Sequence, residues 1–190
     1  LSYIFSAFGG NNFDPVKSDN ADNGAGGSRS FSEAVAETKK LGYTEPDPRE
    51  DLNGNDVGRK LLVLAREVGL NMEMKDVKIE NLVPEELRGK MTAEEFLKKL
   101  KSDDKYFENL LNKAGKENKV LRYVAKLERG RATASLQAVS SDNPLASTKD
   151  ADNIFAFYTK RYNKRPLVVQ GPGAGAEVTA AGVLADILRI

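Results

Sequence analysis

The chain has 190 residues, 40% apolar and 30% charged, a balance that can bury the core of about one domain. Twenty-nine Lys and Arg offset 28 Asp and Glu, so bulk charge points to neither a nucleic-acid nor a membrane partner. Cys and His are both absent, which excludes disulfides, thiolate nucleophiles, imidazole metal ligands and a Ser-His-Asp triad and leaves acid–base chemistry to Lys, Asp, Glu or Tyr.

No run approaches the roughly 18 consecutive apolar residues of a membrane span. Leu1 to Phe8 is hydrophobic, has no basic region before it, and reads as a chain that begins inside a larger protein rather than as a signal peptide. Residues 9–30 are dominated by Gly, Asn, Asp and Ser and predict a mobile surface loop. Ser30 and Glu33 have capping-box spacing and open a helix through about Lys40, which Gly42 stops as a left-handed C-cap. A rigid connection follows over residues 43–55, stiffened by Pro46 and Pro48. The next helix runs from about Asp56 to Val68 and closes at Gly69. Met72 to Val83 predicts a strand ending at Pro84. Thr92 and Glu95 form a second capping box ahead of Phe96, Leu97 and Leu100, and residues 103–114 form another helix with Tyr106, Phe107, Leu110 and Leu111 as its stripe. Four strands are predicted at 120–128, 132–139, 154–161 and 167–170, the first pair joined by an Arg129-Gly130 turn, before an Ala-rich helix from Glu177 to Ile190. Together these elements predict an α+β fold, with a helical N-terminal half packed on a mainly antiparallel sheet, a β-meander in the C-terminal half and a terminal helix.

The chemistry concentrates at residues 43–60. Glu45, Asp47, Glu50, Asp51 and Asp56 place five carboxylates within twelve positions, beside Arg49 and Lys60. A solvated acidic loop is the plain reading. Calcium is excluded, because an EF-hand register puts Asp56 at the obligatory glycine position and Leu62 at the bidentate glutamate. On the following helix Val57, Leu61, Leu62, Leu64, Ala65 and Val68 cover most of the circumference, which predicts a largely buried helix with Asp56 and Lys60 on its polar strip. That strip is either an exposed ion pair or, in a cleft, an ammonium ringed by carboxylates that suits a small zwitterionic substrate. Residues 171–176, Gly-Pro-Gly-Ala-Gly-Ala, lie between a strand and a helix and permit close backbone approach to an anion, but they lack the third glycine and the distal acid of a dinucleotide fingerprint. Residues 158–165 interleave four cations with two tyrosines and read as the exposed face of a hairpin.

Gly42-Tyr43-Thr44-Glu45-Pro46-Asp47-Pro48-Arg49-Glu50-Asp51-Leu52-Asn53-Gly54-Asn55-Asp56-Val57-Gly58-Arg59-Lys60 closely resembles the signature of homoserine dehydrogenases. The segments at residues 1–5 and 31–35, and Gly171 to Gly182 near the C-terminus, are similar to the flanking segments of that family. The resemblance implies reversible NAD- or NADP-dependent reduction of L-aspartate 4-semialdehyde to L-homoserine, on the route to threonine and methionine. It implies that Lys60 is the catalytic proton donor, that Glu45 and Asp56 hold the substrate amino group, and that Asp51 is a further acid of the same site. Gly175 falls where the family's glycine turn meets the cofactor, and no metal ligand is implied in this chain.

By the same resemblance the N-terminal nucleotide-binding domain is missing. Residues 1–170 are then the substrate-binding and dimerisation domain, and residues 171–190 return to the missing domain. The chain is expected to be inactive alone, homodimeric, and cytoplasmic or organellar. The alternative is a non-catalytic amino-acid-binding or dimerisation module. Gly58 stands where the family more often has alanine, at an expected cost of about 1 kcal/mol in helix stability.

Overall fold

The computed structural model describes residues 1–9, 29–148, 152–173 and 176–189. Most of the predicted 9–30 loop lies outside them, as does Gly175. The architecture is α+β. Helices α1 (Ser2–Phe8), α2 (Phe31–Lys40), α5 (Ala93–Leu100) and α6 (Asp104–Lys116) pack around one core, and α3 (Pro48–Leu52) and α4 (Asn55–Glu67) flank a sheet formed by β1 (Val77–Ile79), β2 (Lys119–Glu128) and β3 (Arg131–Ser140). A second sheet pairs β4 (Asp152–Phe157) with β5 (Leu167–Pro172), and α7 (Ala176–Ile187) follows.

Both capping boxes form: Ser30 and Thr92 accept from the amides of Glu33 and Glu95, whose carboxylates accept in return from the cap amides. Gly42 takes φ +76° and closes α2, with Tyr43 N–H donating to Thr38 O (3.1 Å) and Gly42 N–H to Lys39 O (3.0 Å). The larger core is aromatic. Phe31 stacks on Phe107 at 3.7 Å between centroids, and Phe8 meets both rings edge-on, so α1, α2 and α6 share one cluster. Each fully buried phenylalanine contributes about 1.5–3 kcal/mol. Asp104, at the start of α6, accepts from both the amide and the hydroxyl of Ser32 at 2.7 Å and locks the starts of α2 and α6 together.

Three expectations require correction, and one helix was not expected. Asp47 is extended, as its place before Pro48 predicts, and from there it caps the short helix α3, which Pro48 begins inside the 43–55 connection. Helix α4 is buried on one side only: Gly58, Leu61, Leu62 and Ala65 face the sheet, while Val63 is 59% exposed and Val68 is also exposed. Its apolar residues spread over most of its circumference, yet the sheet of this chain reaches only one side of it. The strand expected over residues 72–83 shrinks to three residues. Met74–Asp76 forms a 3₁₀ turn before it, and after it the Glu80 carboxylate takes over the Leu136 amide at 2.9 Å. The resulting β1 runs parallel to β3, in the order β1-β3-β2.

The predicted meander also divides in two. β2 and β3 form the expected hairpin, with φ +49° at Arg129 and +74° at Gly130. After β3, however, the chain folds back over β2. The buried Arg122 guanidinium donates to Ala146 O (2.9 Å) and Thr148 O (3.2 Å), so β4 starts a separate sheet.

Candidate active site

Helix α3 and the start of α4 sort the five carboxylates of the 43–56 segment into two groups. Asp47 accepts from the Arg49 amide as the α3 cap and from the guanidinium at 2.6–3.0 Å. The Arg49 hydrogen bond, the largest influence on it, holds the Asp47 carboxyl below its ordinary pKa. Arg49 also donates to Gly89 O (2.8 Å) and Met91 O (2.7 Å), pinning the approach to α5 against α3. Glu50 accepts from Asn53 at 3.3 Å. Asp47 and Glu50 therefore serve the local structure.

Glu45, Asp51, Asp56 and Lys60 come together on the other side. The Glu45 amide donates to Asp51 Oδ2 at 2.9 Å. Asp51 is half-buried, and burial raises its pKa, with Glu45 and Asp56 adding to the rise and the Glu45 hydrogen bond opposing it. Lys60 Nζ meets Asp56 Oδ2 at 2.8 Å, one helical turn apart, with the two side chains 72% and 55% exposed. Within this chain the pair lies on an open face, not in the cleft that one reading of the sequence required. Two shallow grooves of about 220 and 310 Å³ share Glu80, Tyr106 and Leu136 and include none of these four residues.

The frame beneath the cluster depends on two glycines. Gly54 enters α4 at φ +74°, and a Cβ there would run into the Tyr123 hydroxyl and Ile79. That hydroxyl donates to Glu80 O at 2.6 Å, and burial pushes its pKa up to about 12. At Gly58 the helix rests on Ile79 and Met74, and a Cβ would collide with the end of Ile79, so this glycine lets the strand approach. Sequence reasoning treated Gly58 only as a loss of helix propensity. The spacing Asn53-Gly54-Asn55 was the available sign of the turn that aims α4.

The described residues on either side of residues 174–175 do not by themselves favour a nicotinamide dinucleotide. Gly173 packs against the Asn153 side chain, and Glu177 puts a carboxylate in the first turn of α7, where a phosphate would otherwise be favoured. Among the described residues no His, Cys, Asp and Glu group is arranged to hold a metal ion, and no helix is long and apolar enough to cross a membrane.

A family model described as homoserine dehydrogenase matches residues 1–188. A chloroplastic bifunctional aspartokinase/homoserine dehydrogenase 1 of Zea mays is 46% identical over the whole chain, which covers 19% of that protein. A homoserine dehydrogenase of Schizosaccharomyces pombe is 43% identical, again over the whole chain, which spans 48% of its length. Among solved structures, a Candida auris protein of unknown function superposes on the whole chain with a TM-score of 0.85 at 41% identity, and the match covers 50% of that protein.

Proposed function

This chain belongs to the homoserine dehydrogenase family, and we propose that it is the substrate-binding and dimerisation part of an enzyme interconverting L-aspartate 4-semialdehyde and L-homoserine. The observation that carries this reading is the chain of contacts that gathers Glu45, Asp51 and Asp56, with Lys60 paired to Asp56, from two helices and the loop before them. In this reading Glu45 and Asp56 hold the substrate ammonium. Lys60 delivers a proton to the carbonyl oxygen during reduction and recovers it from the hydroxyl during oxidation. Asp51 fixes the Glu45 backbone through the amide it accepts. The chain's span of its relatives leaves ample protein to hold the dinucleotide, NAD or NADP, and the glycine turn with Gly175 is proposed to touch it from this side. The domain division at 170/171 belongs to the same proposal.

The open face around Lys60 is then the floor of a site that the rest of the protein covers. Homodimerisation is supported by an exposed apolar face on the second sheet. Phe155 lies opposite Val169 and Phe157 opposite Leu167, all four exposed, with the two phenylalanine rings stacked at 6.4 Å.

Homoserine-dependent reduction of NAD⁺ or NADP⁺ by the longer protein that carries this chain, with Lys60→Ala beside it, tests the proposal. A fall in turnover of about 10²- to 10⁴-fold, with circular dichroism unchanged, is expected. Absence of turnover in a protein that binds the dinucleotide would leave the binding or dimerisation module.

A further inference from the structure

The two shallow grooves adjoin at Glu80, Tyr106 and Leu136 and form one trough, walled by α6 on one side and residues 80–88 on the other. Leu136 and Ala138 of β3 line it where β1 has already stopped, opposite Ala134, and the Glu80 carboxylate takes the Leu136 amide instead. An open strand edge beside apolar side chains is a surface that proteins cover. The lining is acidic as well, with five carboxylates against two cations, Arg88 and Lys113. Glu117 is answered by Lys119 at 2.7 Å and Glu85 by Arg88 at 3.8 Å. Glu80, Glu86 and Asp103 have no ion-pair partner among the described residues. Tyr106, 58% exposed in the middle of the trough, offers an aromatic contact to a guanidinium.

A complementary surface lies on the same chain. Between β4 and β5, residues 158–165 carry Lys160, Arg161, Lys164 and Arg165 and no acid, in a chain that would otherwise be net acidic. All four cations are exposed, and none has a carboxylate partner among the described residues. The Thr159 amide donates to Tyr162 O at 3.3 Å and the Tyr162 amide to Thr159 Oγ1 at 3.1 Å, so Lys160 and Arg161 occupy the tip of a closed turn. No residue of this loop lines the trough of its own chain. The loop follows directly on the hairpin whose Phe155 and Phe157 face supports a homodimer.

We infer that the trough between α6 and the β3 edge takes the 158–165 loop of a second copy of this chain. The inference rests on the homodimer reading, to which it adds the charged part of the interface, and it needs no dehydrogenase activity. About a two-fold axis each loop meets the other copy's trough, so the contact occurs twice. Opposite charges across it steer the copies together and fix their register.

Sedimentation of the longer protein tests it, with Lys160→Glu/Arg161→Glu, Glu85→Lys/Glu86→Lys and the combined four-site variant beside the wild type. Each charge reversal alone should raise the dimer dissociation constant at least about tenfold, and the combination should return it to within about threefold of wild type. After subunit exchange between nitrogen-15-labelled and unlabelled protein, carbodiimide should couple a loop lysine to Glu85 or Glu86 across unlike chains. Reversals that leave the dimer unchanged, or that are not restored by combination, would overturn the inference while the dimer itself stands. Cross-links confined to one chain, or running from Glu85 and Glu86 to lysines outside the loop, would name another occupant and overturn it too. A monomeric wild type would refute the homodimer reading and this contact with it.

Discussion

At the scale of single residues, the same side-chain type does opposite work a few positions apart. Asp47 caps α3 and Asp51 lies within it, yet one is held below its ordinary pKa by Arg49 and the other is raised by burial. A carboxylate stabilised by its own arginine brace suits architecture, whereas one left half-buried among other acids is suited to meet a cation. Gly54 shows how narrow such positions are. Its φ of +74° and the Tyr123 hydroxyl above it both oppose a side chain. Gly54→Ala should lower stability by about 1–3 kcal/mol, read from denaturant melts, and should weaken substrate binding by re-aiming α4. Wild-type stability in that variant would mean that Tyr123 moves aside freely.

At the scale of elements, α3 is the joint between the acid loop and the body of the fold. Its N-terminus is held by Asp47, its side by Arg49 reaching Gly89 and Met91, and its last residue by the Leu82 amide on Leu52 O at 2.9 Å. Because the folded pKa of Asp47 lies below its unfolded value, the stability it adds is fully present above the unfolded pKa and is lost as pH falls through the folded one. Asp47→Asn should therefore lower stability at neutral pH and flatten the acid limb of a stability-against-pH curve below about pH 4. Parallel curves for the two proteins would show that Arg49 holds the joint without Asp47.

At the scale of the whole molecule, several surfaces remain apolar and open. The Phe155–Phe157 face of the second sheet is exposed, Val183, Leu184, Ile187 and Leu188 are exposed on and just beyond α7, and Val63 lies on α4 beside the Lys60 strip. A two-stranded sheet is marginal in water by itself, so this one calls for a neighbour. If this face forms the proposed dimer, Phe155→Lys in the longer protein should convert it to monomer by sedimentation while leaving the aromatic core intact. A dimer that persists at the wild-type dissociation constant would assign the face to contacts within one chain.

Local chemistry made much of this legible from sequence. The two capping boxes, the Gly42 and Gly69 helix ends and the Arg129-Gly130 turn each depend on residues within a few positions of one another, and all of them form. The acid cluster and Lys60 were legible for the same reason, since one loop and one helix face carry them. The helix at Pro48 was missed although Asp-Pro is an N-cap signal, because the two prolines were read only for their stiffness. The choices made at a distance were not legible. Arg122 binding carbonyls 24 and 26 residues on divides the sheets, and the Glu80 carboxylate replaces a strand at Leu136. The side of α4 that is covered depends on where the sheet lies. Sequence thus determined the caps, the turns and which residues share a helix face, because these are set by dihedral preferences and neighbouring hydrogen bonds. Only the tertiary structure decided which carboxylates brace the body of the fold and which gather on the side of Lys60, because that depends on whether a partner from a distant segment arrives.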